Sequence, residues 1–174
     1  MVVYLTMGDA VLFGMVWGMI DRLDKLSIPY EIVPGISSFS ASCALIKRQM
    51  VGLGLSHTAI CLSAHDIEEN ETYFDTVASL KASLAIFMAV SKISLVTKVL
   101  KRHYPSDTPV VVVSKATWPE EELVSGTLET IQKSVEAAGV QDGMILVGEF
   151  IDKEYDYELE RQFMERKRRE RRNT

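Results

Sequence analysis

S-D-T-P-V-V-V-V-S-K-A-T-W-P-E-E-E-L-V-S-G-T-L, residues 106–128, is the stretch from which the rest of the chain can be interpreted. Its run 110–113 is entirely β-branched, too short for a helix and too apolar for a half-exposed strand. It therefore predicts a strand that is buried on both faces. Residues 114–119 end this strand with small, basic and aromatic side chains, at the place where an open α/β sheet binds its ligand. The alternative is that Trp118 and Pro119 cap a hydrophobic edge and bind nothing.

The composition is that of an ordinary globular protein. Of 174 residues, 47% are hydrophobic and 25% are charged, which is enough apolar material for a core in one or two small domains. No apolar run is long enough to cross a bilayer and no export signal is recognisable, so we expect a cytoplasmic protein without membrane contact. Cys43 and Cys61 lie in apolar surroundings without C-x-x-C spacing, which predicts buried free thiols and no metal site.

Charge is unevenly distributed along the chain. The net charge is −5, but residues 161–174 carry +5 and the preceding 160 residues carry −10. We therefore expect no nucleic-acid binding by the body of the protein. The basic end reads most simply as a solvated, partly helical terminus, with binding of a partner as the alternative.

Three segments are predicted. Residues 1–50 contain two short apolar runs, 2–5 and 30–33, each followed by a helical pattern, which predicts a parallel βαβα half-domain. Such a unit leaves strand edges unpaired, so we expect either an N-terminally truncated chain or support from the second domain or a second chain. Residues 51–152 form the second domain, and residues 153–174 form a charged tail.

The second domain reads as α/β with a mixed sheet, so α/β is the fold class of the whole chain. Strands are predicted at 56–62, 84–88, 110–113 and 144–147, with an edge strand at 123–127. Residues 64–75 read as an acidic surface loop that leads into a helix at 76–82. A further helix at 128–138 should end at Gly139, a good C-terminal cap.

Four motifs carry a resemblance to a known family. D-T-P-V-V-V-V-S-K-A-T-W-P-E-E (107–121), M-I-L-V-G (144–148), G-D-A-V-L-F-G (8–14) and V-P-G-I-S-S-F (33–39) occur in the family's order. They resemble the precorrin-4 and cobalt-precorrin-4 C11-methyltransferases, a branch of the tetrapyrrole methylases. The K-A-T-W-P segment is the one that points to this branch.

The resemblance implies a methyltransferase that uses S-adenosyl-L-methionine and acts on a corrin-precursor tetrapyrrole in cobalamin biosynthesis, and it implies a homodimer. It places the cofactor contacts on Met7, Gly8, Asp9, Leu12, Ser37, Ser38, Met88, Ala89 and Ala116. Methyl transfer of this kind is an in-line displacement in which alignment can supply most of the acceleration, so no catalytic residue is assigned. His57, His65 and His103 are interpreted as surface or structural.

The chain departs from the family pattern at three places. Ala10 stands where the family has Pro, Phe13 stands where it has Tyr, and the segment S-A-H-D-I-E-E-N-E at 63–71 replaces one that carries arginines. A polycarboxylate substrate needs cations, and the remaining candidates are Lys47, Arg48, Lys92 and Lys115. Three hypotheses follow: this methyltransferase, in a partial or inactive copy; another tetrapyrrole methylase with a different acceptor; or a non-catalytic interaction module.

Overall fold

The architecture is a single mixed sheet with helices on both sides. The computed structural model describes residues 2–172, without the side chains of Asp66, Glu68 and Arg172, so the last two residues of the predicted tail lie outside it. Within this range the elements are α1 (Trp17–Lys25), α2 (Ser38–Leu45), β1 (Ala59–Ser63), α3 (Ala64–Glu69), α4 (Glu71–Ser79), β2 (Ser83–Phe87), α5 (Ile93–Leu100), β3 (Pro109–Ser114), β4 (Glu122–Thr127), α6 (Ile131–Ala138), β5 (Met144–Val147) and α7 (Tyr157–Arg172). Short 3₁₀ turns at Val90–Lys92 and Glu149–Ile151 follow β2 and β5.

The strand order is β1-β2-β5-β3-β4. β1 pairs with β2 in parallel, whereas β5 runs antiparallel to both of its neighbours, β2 and β3, and β4 closes the sheet as an antiparallel edge strand. The α/β class and the mixed sheet are therefore confirmed. The predicted edge strand at 123–127 and the buried strand at 110–113 are present as β4 and β3.

The valine run of β3 is buried on both faces because layers cover both sides of the sheet. Val110 and Val112 point with Ile145 and Val147 into a core formed with α4, α5 and α6, whose largest buried side chains include Phe74. Val111 pairs with Leu146 in the register, on the other face. Full burial of side chains of this size contributes roughly 1.5–3 kcal/mol each, so these strands hold the domain together.

Helix α6 ends as its sequence predicts. Gly139 is its C-cap residue, with φ +73°, a left-handed conformation that glycine adopts without steric cost.

The second face of the sheet is covered by other parts of the chain. Met50 and Phe150 are buried there against Ala85, Phe87, Met144 and Leu146, and half-buried side chains of the first 46 residues pack on the same cluster: Leu12, Phe39, Cys43 and Ile46. Cys43 and Cys61 are free and half-buried on this face, and burial raises the pKa of both thiols.

The two strands predicted in the first 50 residues are absent from the described chain. Residues 2–5 and 30–33 lie outside every strand, and α1, the helix expected after the first run, buries none of its residues. A strand exists only when a neighbour takes its N–H and C=O groups, and within residues 2–172 no strand lies beside these segments. Their apolar side chains are exposed instead: Val2, Val3, Tyr4, Leu5, Tyr30, Ile32 and Val33.

The predicted acidic loop is also different. Residues 64–75 form α3 and the first half of α4, with Asn70 accepting the Tyr73 N–H at 2.9 Å as the N-cap between them. Asn is a preferred N-cap residue, so Asn70 indicated a helix start, but the many acidic residues of this segment led to the prediction of a loop. No helix among residues 2–172 has the length and apolar content that a bilayer span requires.

Candidate functional site

Three strands end at the same edge of the sheet. Because β5 is antiparallel to both β2 and β3, strands β1, β2 and β3 all point the same way. We call the edge that holds their C-terminal residues, Ser63, Phe87 and Ser114, the carboxyl edge. Gly143, just before β5, lies there too: a Cβ on it would be 2.6 Å from the Val113 carbonyl oxygen, so only glycine allows the backbones this close.

The two loops of the first 50 residues that carry predicted cofactor residues are packed against each other. A Cβ built on Gly35 would lie 2.1 Å from the carbonyl oxygen of Gly8, and one built on Gly8 would lie 3.6 to 3.8 Å from atoms of Ile36, Ser37 and Ser38. The structure therefore brings Gly8, Asp9, Ser37 and Ser38 together. Ser37 is buried and caps α2 by accepting the Phe39 N–H at 3.2 Å.

Asp9 joins these loops through its carboxylate. One oxygen, Oδ1, accepts the N–H groups of Val11 and Leu12 at 2.9 and 3.2 Å, and Oδ2 accepts the Gly35 N–H at 3.1 Å. Because α1 begins only at Trp17, Asp9 caps a turn and not a helix. Its long-range bond to Gly35 fixes the first loop against the Pro-Gly turn.

An aromatic contact brings these loops to the carboxyl edge. The rings of Phe13 and Phe87 have centroids 4.6 Å apart at an interplanar angle of 46°, and Phe87 is the last residue of β2. The residue that departs from the family's Tyr thus packs on the residue before Met88. Such pairs contribute about 0.5–1.5 kcal/mol beyond their buried area, enough to bias the loop toward this position.

The residues after β2 differ in what they can offer a ligand. Met88 is 53% exposed and has φ +56°, so part of its side chain is accessible to a ligand. Ala89 is fully buried, which leaves only its backbone for a ligand. Met7, at the start of the first loop, is 93% exposed.

Ala116 reaches the same edge at some distance from the other residues. It is half-buried in the loop after β3, and β3 is separated from β2 by β5, which corresponds to roughly 10 Å across the sheet. The structure thus unites the residues of the first loop, the Pro-Gly turn and the β2 end, and places Ala116 along the edge from them.

Five of the eight non-glycine residues that have a positive φ within residues 2–172 lie in these loops. Phe13, Met15, Met88, Lys115 and Thr117 all have φ between +47° and +73°, a region that costs a non-glycine residue roughly 1–3 kcal/mol. Thr117 is β-branched, for which this conformation is a true outlier. Strain held in place at several loops of one edge is typical of a functional site.

Two depressions lie elsewhere. One of about 560 Å³ is at the opposite edge, beside Tyr104, Ser83 and Phe150, and one of about 480 Å³ lies between α5 and α6, starting at Val90. None of the nine predicted cofactor residues lines either depression. In the described chain these residues therefore form part of an open edge, not of either depression.

Two acidic residues at and after the end of segment 63–71 are paired with cations. Arg102 bonds Glu71 at 2.6 Å and Asp75 at 3.1 Å, and His103 lies 3.0 Å from Asp75. Hydrogen bonds from His103 and Arg102 hold the pKa of Asp75 below its ordinary value. Among the cations proposed for a polycarboxylate, Arg48 already donates to the Ile151 carbonyl oxygen at 2.8 Å, while Lys115 is exposed at the carboxyl edge.

Comparison with known proteins decides the family. Residues 1–132 match the Tetrapyrrole (Corrin/Porphyrin) Methylases. The chain belongs to this family. The resemblance inferred from the four motifs is thus confirmed.

Within the tetrapyrrole methylases, the relatives at 35–36% identity are named cobalt-precorrin-4 or precorrin-4 C(11)-methyltransferases. The chain is 35% identical over 159 residues to the cobalt-precorrin-4 C(11)-methyltransferase of Methanocaldococcus jannaschii, covering 88% of this chain and 61% of that protein. It is 36% identical over 148 residues to the precorrin-4 C(11)-methyltransferase of Pseudomonas aeruginosa, covering 83% and 59%. The chain therefore spans about 60% of the length of these curated relatives.

Solved structures agree on the fold. A cobalt precorrin-4 methyltransferase superimposes with a TM-score of 0.81 at 30% identity, covering 88% of this chain and 66% of that one. A uroporphyrin-III C-methyl transferase from Thermus thermophilus, complexed with S-adenyl homocysteine, gives a TM-score of 0.65 at 26% identity, covering 83% and 64%.

The sequence did not predict five of the structural features reported for this chain. They are the Asp9–Gly35 bond, the Phe13–Phe87 contact, the strained backbones, the Arg102 pairs and the bond between Glu121 and Thr117.

Proposed function

We propose that this tetrapyrrole methylase is an S-adenosyl-L-methionine-dependent C-methyltransferase that acts at C11 of precorrin-4 or cobalt-precorrin-4 in cobalamin biosynthesis. The observation that carries the proposal is the 35–36% identity to proteins of that name, combined with the meeting of their motif loops at one edge of the sheet. Since the chain spans about 60% of those relatives, activity of this chain by itself is part of the proposal.

We propose that the cofactor is held by Met7, Gly8, Asp9, Leu12, Ser37, Ser38, Met88, Ala89 and Ala116. The residues fit such a ligand. Gly8 carries no side chain where the first loop meets Ser38, and Met88 and Phe13 supply apolar surface beside these polar groups, which is the mixture that a nucleoside with a sulfonium-bearing side chain requires. When bound, S-adenosyl-L-methionine supplies the methyl group.

The chain's own contribution is alignment. Asp9 and the Phe13–Phe87 contact hold the loops in place before a ligand binds, so less conformational entropy is lost on binding. Lys115, at the carboxyl edge, is placed to meet a carboxylate of the acceptor.

Calorimetric titration with S-adenosylhomocysteine tests the cofactor site. We expect a Kd in the micromolar range for the native chain and at least tenfold weaker binding for Gly8→Ala, because the new Cβ would lie between the first loop and the Pro-Gly turn, 3.6 to 3.8 Å from atoms of Ile36, Ser37 and Ser38, where the ligand is proposed to contact both loops. Gly139→Ala is the matched control: φ is +73° there against +66° at Gly8, and no atom lies within 4 Å of the new Cβ. It should cost similar backbone strain and leave binding unchanged. No heat at millimolar ligand, or equal binding by Gly8→Ala, contradicts the assignment.

We also propose that the chain works as a homodimer in the cytoplasm. Support for the dimer comes from the large apolar side chains that residues 2–17 expose, among them Val2 at 97%, Leu5 at 86% and Trp17 at 85%. Two free thiols are typical of a reducing compartment. Light scattering at micromolar concentration should give twice the chain mass, and Val3→Glu/Leu5→Glu should give the monomer. A native chain that is monomeric rules the dimer out.

A further inference from the structure

The loop between β3 and β4 is closed by three hydrogen bonds. The Trp118 N–H donates to the Lys115 carbonyl oxygen at 2.9 Å, and the Glu121 N–H donates to the Trp118 carbonyl oxygen at 3.1 Å. The shortest bond comes from the Thr117 N–H to a carboxylate oxygen of Glu121, at 2.7 Å. The side chain of Glu121 thus reaches back four residues to the middle of the K-A-T-W-P segment.

This bond acts at the most strained point of the loop. Thr117 has φ +73° and Lys115 has φ +47°, on either side of Ala116. A β-branched residue stays in the left-handed region only if surrounding contacts hold it there. A charged acceptor on the Thr117 N–H is such a contact, because hydrogen bonds to ionised groups are stronger than neutral ones.

We propose that Glu121 is a positioning residue for the cofactor site: its carboxylate holds the K-A-T-W-P loop in the form that presents Ala116 to the ligand. The inference rests on the proposed function, in which Ala116 contacts the cofactor. Glu121 itself does not touch the ligand. Without its acceptor, Thr117 relaxes toward an ordinary backbone conformation and Ala116 moves with it, so only a fraction of molecules is ready to bind.

The neighbouring glutamates provide matched controls. Glu120 and Glu122 are exposed like Glu121, but neither forms a side-chain hydrogen bond or ion pair within residues 2–172. Glu120→Ala therefore removes the same charge from the same loop without removing the bond to Thr117. Glu121→Gln removes the charge but keeps a side-chain carbonyl oxygen that can accept the Thr117 N–H.

A tryptophan inside the loop gives a local readout. The chain has two tryptophans, Trp17 and Trp118, and Trp17 is the first residue of α1, where it is 85% exposed. In a Trp17→Phe background, the time-resolved fluorescence anisotropy of Trp118 reports motion of the loop alone. We expect faster and wider local motion in Glu121→Ala, with the native chain, Glu120→Ala and Glu121→Gln close to one another.

Titration of the same variants with S-adenosylhomocysteine gives the functional readout. If the binding-ready fraction falls to about a tenth in Glu121→Ala, the apparent Kd rises about tenfold, with the midpoint of thermal unfolding within a few degrees of the native value. Glu121→Gln should stay within about threefold of the native Kd, and Glu120→Ala should match it.

The outcomes separate the two proposals. If the native chain does not bind, the proposed function fails, and the anisotropy of Trp118 still decides whether Glu121 holds the loop. If the native chain binds and Glu121→Ala binds equally well, or loses no more affinity than Glu120→Ala, the positioning role is refuted while the proposed function stands. Loss of affinity in Glu121→Ala with rescue in Glu121→Gln supports it.

Discussion

Removal of the Asp9 carboxylate should release the first loop from the Pro-Gly turn. In Asp9→Ala the N–H groups of Val11, Leu12 and Gly35 all lose their acceptor. The change is expected to act locally, because Asp9 is outside the two core clusters and the sheet does not depend on it.

The size of the effect follows from these three bonds. Two of the three hydrogen bonds are solvent-exposed, so water replaces part of each, and loss of a side-chain cap of this type costs about 0.5–2 kcal/mol. If the three bonds together contribute about 1.4 kcal/mol, the state in which the first loop is released from the Pro-Gly turn becomes roughly tenfold more populated in Asp9→Ala. Amide exchange at Gly35 should then accelerate by roughly tenfold, and the Kd for S-adenosylhomocysteine should rise by a similar factor.

Hydrogen exchange followed by NMR resolves the individual bonds. Asp9→Asn can keep one acceptor oxygen for Val11 and Leu12 while its amide group faces the Gly35 N–H, so we expect loss of protection at Gly35 alone. Asp21→Ala, which breaks only an exposed ion pair with Lys25 on α1, is the control. Gly35 exchange within twofold of the native rate in Asp9→Ala would refute the reasoning.

Two further predictions concern the sheet and its surroundings. Burial raises the pKa of Tyr104 to about 12, from an ordinary value near 10, so its neutral form stabilises the fold below pH 10 and this contribution is lost as the pH rises toward 12. Tyr104→Phe loses the 2.7 Å bond to the Ala82 carbonyl oxygen, so its free energy of unfolding at pH 8 should be about 1 kcal/mol lower than that of the native chain. Between pH 8 and 11 the native chain should lose about 1 kcal/mol of unfolding free energy relative to Tyr104→Phe, measured by urea unfolding. If the unfolding free energies of the two proteins change in parallel with pH, the phenol is not buried. Ile145→Ala, in a fully buried strand position, should lower the free energy of unfolding by about 2–5 kcal/mol, whereas the exposed Glu136→Ala should change it by less than about 0.5 kcal/mol. A loss below 1 kcal/mol for Ile145→Ala would place that side chain outside the core.

The sequence was most informative where local composition alone decides the structure. Residues 110–113 and 144–147 are apolar throughout, and such runs have few stable positions other than the inside of a sheet. Gly139 marked a helix end because glycine adopts the left-handed conformation of a C-cap without steric cost. Membership of the tetrapyrrole methylases was likewise predictable from short local motifs.

The sequence could not predict which segments far apart in the chain pair or pack with each other. Residues 2–5 and 30–33 have strand composition, yet whether they pair depends on a neighbouring strand, and within the described residues they have none. The position of β5 between β2 and β3 is likewise set by the packing of distant segments. For the site, the loops were predictable from their motifs, but the bonds Asp9–Gly35 and Thr117–Glu121 depend on side-chain directions that no pattern of residue types specifies.

The central position of β5 has a consequence for synthesis of the chain on the ribosome. The β3–β4 hairpin is complete by Thr127, but β2 and β3 each keep one bare edge until Val147 has emerged, because β5 fills the gap between them. During that interval the nascent chain presents two apolar strand edges, which are sites for pairing with other chains. Premature termination before residue 144 should therefore yield a product that chaperones retain or that aggregates, even though four of the five strands have already been made.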